Sequence, residues 1–168
     1  PSEERKKLWG MGIKIGRYHV YLPKMLKPKA VEFRISLWKI YHNLSAKNKI
    51  PKSGLNFLIG LKFDKDFLLL CGFEKFREFF VRIDILEKLF LKIIDSTKDK
   101  KFTVNADMMN LLGCSKENFY KLMTYMDYKK DKAVDTYIFK GDKRKKKKII
   151  QFDKKENPFN KLLSLNIK

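Results

Sequence analysis

"NADMMNLLGCSKENFYKLMTYM", residues 105–126, carries the densest run of helix start and stop signals in the chain. Asn105 is a side chain that caps a helix N-terminus, and Asp107 falls in the first turn, where negative charge suits the helix dipole. Gly113 suits the left-handed residue that closes a helix, and Ser115 can cap the next one. In "KENFYKLMTYM" the apolar residues Phe119, Leu122, Met123 and Met126 recur at i, i+3, i+4 and i+7. Two short helices joined by "GCS" form a helix-turn-helix.

The flanks extend this unit. Upstream, "VRIDILEKLFLKIID" (81–95) puts Ile83, Leu86, Leu89, Phe90, Ile93 and Ile94 on one stripe. Arg82, Asp84, Glu87, Lys88 and Lys92 are expected to face away from it, with Asp84 four residues before Lys88. "KKFTV" (100–104) reads as a short strand. Downstream, the β-branched and aromatic runs "AVDTYIF" (133–139) and "IIQF" (149–152) are expected to pair as a hairpin around "KGDKRKKKK" (140–148). Helix, strand, helix, turn, helix, hairpin is the order of a winged helix, with the basic run as the tip of its wing. A nine-residue loop is long for a hairpin, so the tip is expected to order on binding.

The N-terminal half is less regular. Residues 3–9 are charged and helix-prone, and "GMGIKIGRYHVYLP" (10–23) suggests a turn and a short extended piece. Pro28 suits the first turn of a helix in which Ala30, Phe33, Leu37, Ile40, Tyr41 and Leu44 recur at helical spacing. "SAKNKIPKSG" (45–54) is the best internal linker. After it, "LNFLIGLKFDKDFLLLCGF" (55–73) predicts a short strand and a short helix ending near Gly72. The expected organisation is a connector and helical segment over 1–50, an irregular linking region over 51–80, a winged-helix-like domain over 81–152 and a tail over 153–168. The tail's Phe159, Leu162 and Leu163 are expected to dock back on the domain. The fold class is α+β, mostly α.

With 168 residues and 44% hydrophobic content the chain can bury a core. Lys and Arg number 39 against 19 Asp and Glu, a formal charge of +20 that points to a polyanionic partner. Only six of the basic residues are Arg (5, 17, 34, 77, 82 and 144), and the skew to Lys, Asn, Ile and Phe fits an AT-rich coding bias, so clustering matters more than the total. Cys71 and Cys114 lack partners at zinc-ligand spacing and read as reduced thiols. No apolar run reaches the ~18 residues that span a bilayer, and "PSEERKK" lacks a signal-peptide core. The expected setting is cytoplasmic, with no membrane partner. Pro1 at the start fits a piece cut from a longer polypeptide.

Three groups are candidates for contact with nucleic acid. Lys143, Arg144, Lys145, Lys146, Lys147 and Lys148 can neutralise successive phosphates and release counterions, against the plainer reading of a solvated, Lys-rich link. Lys116, Asn118, Tyr120 and Lys121 lie off the apolar stripe of the second helix, where they can reach phosphates or base edges or simply form a polar face. Lys14, Arg17 and Tyr18 combine cation and aromatic ring, a pairing that can clamp a single strand. The commoner role of such a segment is to anchor its aromatic residue in the core, and this is the favoured reading. His19 and His42 have no neighbouring pattern for nucleophilic or acid–base chemistry. Arg82, Asp84 and Glu87 can form an ion-pair cluster that orients their helix.

"EERKKLWGMGIKIGRYHVYLPKMLKPKAVEFRISLWKIYH" resembles the region following the motor core in alphaproteobacterial superfamily 2 helicases related to the mitochondrial degradosome RNA helicase. The matching features are Gly12, Gly16, Tyr21-Leu22-Pro23, Leu26-Lys27-Pro28 and Leu37-Trp38, with further likeness at "VRIDILEKL" and "DMMNLLGCSKENF". The chain departs from that pattern in its heavy use of Lys and Phe. The resemblance implies motor domains upstream of Pro1 that bind ATP and Mg. This chain has no G-x-x-x-x-G-K-[ST] loop and no cofactor or catalytic centre of its own is expected. The expectation is therefore a monomeric accessory region that grips RNA or DNA beside the helicase motor. The alternatives are a structural or protein-docking domain, in which Trp9, Phe57 and Phe63 would matter most, and a stand-alone DNA-binding regulator, which requires a dimer and a palindromic site.

Overall fold

The caps expected on residues 105–126 form as hydrogen bonds. Asn105 accepts from the Met108 N–H at 3.0 Å and Ser115 from the Asn118 N–H at 3.3 Å. Gly113 closes the first helix at φ +68°, a left-handed conformation that costs a side-chain-bearing residue about 1 kcal/mol. The computed structural model describes residues 2–42, 50–60, 64–131 and 135–139. Within them the fold is α+β, with three small antiparallel sheets.

The chain begins with α1 (Ser2–Gly10), a small hairpin of β1 (Lys14–Ile15) and β2 (Val20–Tyr21), a 3₁₀ turn over Pro23–Leu26, and α2 (Pro28–Tyr41). Next come β3 (Phe57–Ile59), α3 (Lys65–Leu70), β4 (Phe73–Phe76) and β5 (Phe79–Arg82). The remainder is α4 (Ile83–Ser96), β6 (Lys101–Thr103), α5 (Ala106–Leu112), α6 (Lys116–Tyr125), β7 (Lys129–Lys130) and β8 (Thr136–Ile138).

The stretch expected as an irregular link builds the middle of the molecule. β5 runs between β3 and β4, pairing Val81 with Phe57 and Glu74. Side chains alternate across a strand. Phe79 and Val81 therefore join the larger core with Leu86, Leu89, Ile93, Phe102, Met108, Phe119 and Leu122, while Phe80 points the other way into a second cluster with Val31, Ile35, Phe67, Leu68, Cys71 and Phe73. A strand buried on both faces reads as an unbroken apolar run, here "FFV", without the alternation of a half-exposed strand.

Three expectations need correction. β8 lies between β6 and β7, with Tyr137 opposite both Phe102 and Lys130. "AVDTYIF" thus finds its partners in β6 and β7, and β8 has no free edge for "IIQF". Among the described residues the hairpin is β7–β8, and the loop expected at 140–148 lies outside them. "IIQF", the basic run 143–148 and the tail residues Phe159, Leu162 and Leu163 lie outside the described residues.

Second, α2 packs through Val31 and Ile35, with Trp38 beside them, and Arg34 donates to the Leu70 carbonyl at the end of α3. Of the residues read at helical spacing, Phe33, Leu37, Ile40 and Tyr41 are exposed. Both sets have helical spacing and both are apolar, so periodicity alone does not choose the packed face. Third, Glu87 is buried at 6% exposure instead of facing away, and Ile94 is exposed.

Ile35→Ala is expected to lower the unfolding free energy by about 3 kcal/mol in urea titration, and Leu37→Ala to change it by no more than about 0.5 kcal/mol. Equal costs would place the packed face of α2 elsewhere.

Candidate nucleic-acid interface

The polar face of α6 is organised by an acid from the neighbouring hairpin. Asp135 sits just before β8 with φ +57°, a left-handed conformation that Asp tolerates better than most side chains. Its carboxylate accepts from the Tyr120 hydroxyl and pairs with the Lys116 ammonium at 3.0 Å. Those two donors, Tyr120 first, hold the Asp135 carboxyl below its ordinary value. Lys116 and Lys130 lie 5.5 and 5.6 Å from the Tyr120 ring centroid, within cation–π range.

Of the α6 candidates, Lys116 and Lys121 are exposed, whereas Asn118 and Tyr120 are half-buried. Lys116 and Tyr120 are thus held together by Asp135, a residue that sequence reading treated only as part of a strand. β7 adds the exposed Lys129 and Lys130, and Lys101 pairs with Asp131 at 2.6 Å. At the other end of α6, Tyr125 donates to Glu78 at 2.8 Å and the Arg77 guanidinium lies 4.7 Å from its ring, tying α6 to the β4–β5 turn.

The Lys14, Arg17 and Tyr18 group is split by the fold. Tyr18 meets Phe76 and Phe90 edge to face and packs on the larger core, and burial pushes its phenol pKa up. This is the anchoring role favoured for it. Lys14 and Arg17 remain exposed, with the Arg17 guanidinium 4.5 Å from the Phe90 centroid and 5.7 Å from that of Phe139.

The turn between β1 and β2 is fixed by Glu87 of α4. One carboxylate oxygen accepts from the Arg17 N–H at 2.7 Å, and the other from the N–H groups of Tyr18 and His19 at 2.8 and 3.0 Å. A carboxylate out of water is costly unless paired or fully hydrogen-bonded, and three backbone donors meet that need. The approach is so close that a Cβ on Gly16 would lie 2.1 Å from the Glu87 carboxyl carbon. His19 adds a contact to Glu74 at 2.8 Å. The expected cluster of Arg82, Asp84 and Glu87 is thus only a pair: Arg82 grips Asp84 with two bonds of 2.6 and 3.0 Å.

Sequence reading gave Glu87 and Gly16 no part in fixing this turn and took Asp135 only as part of a strand. For Glu87 a signal existed: it stands four residues after Ile83 and three before Phe90, at the edge of the apolar stripe. Among the described residues no group of His, Cys, Asp and Glu is placed to hold a metal ion. Both thiols are pushed up to about 11 by burial, which keeps them protonated and poorly nucleophilic at neutral pH.

Glu87→Ala should cost about 3 kcal/mol, since three backbone donors lose a charged acceptor. Gly16→Ala should also destabilise, because its new methyl meets that same carboxylate. In the double variant the clash disappears, so the combined loss should fall short of additivity by about 1 kcal/mol or more in urea titration. Strict additivity would mean that the two sites do not touch.

Comparison with protein-family models, curated proteins and solved structures gave no match to this chain.

Proposed function

We propose that the chain is an accessory nucleic-acid-binding region that grips the phosphate backbone beside an ATP-dependent helicase motor. The observation that carries this reading is the order α4, β6, α5, α6, β7, β8 together with the sheet order β6-β8-β7. This order supports the reading of a winged helix, in which α6 would take the place of the helix that enters a groove. Residues 81–139 supply all of these elements, and the formal charge of +20 suits a polyanion.

Lys116 and Lys121 on α6 and Lys129 and Lys130 on β7 are the described cations that would meet phosphates. The run Lys143 to Lys148 follows β8 in sequence and adds charge by composition alone. Neutralising phosphates in this way gives binding that is strong at low salt and indifferent to sequence. The likeness of residues 3–42 to the post-motor region of helicases supports the second part of the proposal, with ATP and Mg belonging to the motor. A grip on phosphates accepts RNA and DNA alike.

A docking role is the second reading, and the exposed Phe33, Leu37, Ile40 and Tyr41 on α2 favour it. Of the residues named for that role from sequence, Trp9 is exposed, Phe57 packs against Phe79, and Phe63 lies outside the described residues.

Fluorescence anisotropy with labelled single-stranded RNA, single-stranded DNA and duplex DNA across a salt series tests the proposal. The logarithm of affinity should fall linearly with log salt, and Lys121→Ala with Lys129→Ala should reduce the slope by about two. Asp135→Asn, which releases Lys116 from its acid, should tighten binding at low salt and steepen the slope by about one. Replacing Lys145 to Lys148 with Ser should weaken binding several-fold, a loss under about twofold excluding the basic run from the grip. Weak, salt-independent binding to all three nucleic acids would move the reading to docking.

A further inference from the structure

Between α1, the β1–β2 hairpin and α4 lies an open cleft of about 930 Å³ that a backbone grip through α6 leaves unused. One wall is apolar: Trp9, Phe90, Leu91 and Ile94, of which Trp9, Leu91 and Ile94 are 57%, 58% and 43% exposed. Arg5, Lys14 and Arg17 line it with positive charge, and among the described residues none of the three has an ion-pair partner. Arg17 stacks its guanidinium on Phe90, which makes part of the wall a flat cationic surface. Glu87 also borders the cleft, but its two oxygens are engaged by the N–H groups of Arg17, Tyr18 and His19. Three unpaired cations beside flat apolar surface fit a ligand that is itself flat on one side and anionic on the other.

We propose that this cleft receives one unpaired nucleotide of a single strand, its base against Trp9 and the Arg17–Phe90 surface and its phosphate against Lys14 and Arg5. The inference rests on the proposed nucleic-acid function and deepens it by naming the strand. A base in a duplex is already stacked on both faces and cannot enter, whereas an unpaired base can leave its strand and lie on an aromatic or guanidinium plane. The cleft therefore adds preference for single strands to a backbone grip that has none. An anionic lipid would satisfy the charges too, but a flexible acyl chain gains less from planar surfaces than a base does.

The test uses the full chain, with Trp38→Phe making Trp9 the reporter. Short oligothymidylate or oligouridylate should quench its fluorescence, and duplex DNA at matched phosphate concentration should not. Separately, in the otherwise unaltered chain, Trp9→Ala should weaken single-strand binding about tenfold and duplex binding by less than about twofold. This arm needs no change at Trp38, and Trp9 is exposed enough for its loss to leave folding intact. Salt-sensitive duplex binding with a silent Trp9 and no effect of Trp9→Ala would overturn the cleft assignment and leave the proposed function standing. Failure to bind either nucleic acid would overturn both. Quenching by phosphatidylglycerol vesicles but not by oligonucleotide would overturn the assignment in favour of a lipid surface.

Discussion

A buried carboxylate on α4 ties a turn near the start of the sequence to its middle. Glu87 is reached by the backbone of residues 17–19, some seventy positions earlier, through three hydrogen bonds of 2.7 to 3.0 Å. Left without donors, a carboxylate at 6% exposure would cost several kcal/mol. The turn that supplies those donors is therefore not free to leave α4. Gly16 makes the approach possible, because any side chain there would occupy the space of the carboxylate. With the turn fixed, Tyr18 lies against Phe76 and Phe90, His19 on Glu74, and Arg17 on the face of Phe90. This attachment helps to fix the hairpin wall of the cleft beside Trp9.

β5 plays the corresponding role in the core. It is hydrogen-bonded on both edges and buried on both faces, with Phe79 and Val81 toward the helices α4 to α6 and Phe80 toward α2 and α3. Packing on one side is thus transmitted to the other through a single strand. The residue set that meets solvent around this frame carries Lys116 and Lys121 beside Glu117 on α6, Lys129 and Lys130 on β7, and an apolar group on α2. A rigid frame that holds cations at fixed spacing suits recognition of a regular phosphate backbone, and the apolar face of α2 suits attachment to a larger protein.

Much of the region from 83 to 126 was legible because its signals are local. Asn105, Gly113 and Ser115 cap the helices they were expected to cap, and the stripe Ile83, Leu86, Leu89, Phe90 and Ile93 is the buried one. The β4–β5 hairpin was not legible, since its two-residue turn is Arg77–Glu78 and Arg77 adopts φ +54° without the Asn or Gly that usually marks such a turn. The pairing of β8 was misread for a different reason. Composition marks a segment as strand but does not say which edge it joins, and Lys129–Lys130, the strand that takes that edge, has no β-forming composition of its own. On α2, two apolar sets compete and only the tertiary contacts with α3 and β4 decide between them. In the candidate interface Lys116 and Lys121 were visible in sequence, whereas Lys129 and Lys130 on β7 were not singled out. The roles of the acids Asp135 and Glu87 were not visible, because their partners lie far away in the chain or across a turn.

Amide hydrogen exchange of Arg17, Tyr18 and His19, followed by NMR, tests the attachment of the turn to α4 most directly. If Glu87 holds these three N–H groups, they should exchange as slowly as the buried amides of α4, and all three should lose protection together in Glu87→Ala. Exchange at the rate of an exposed loop in the unaltered protein would contradict the attachment and, with it, the preformed cleft.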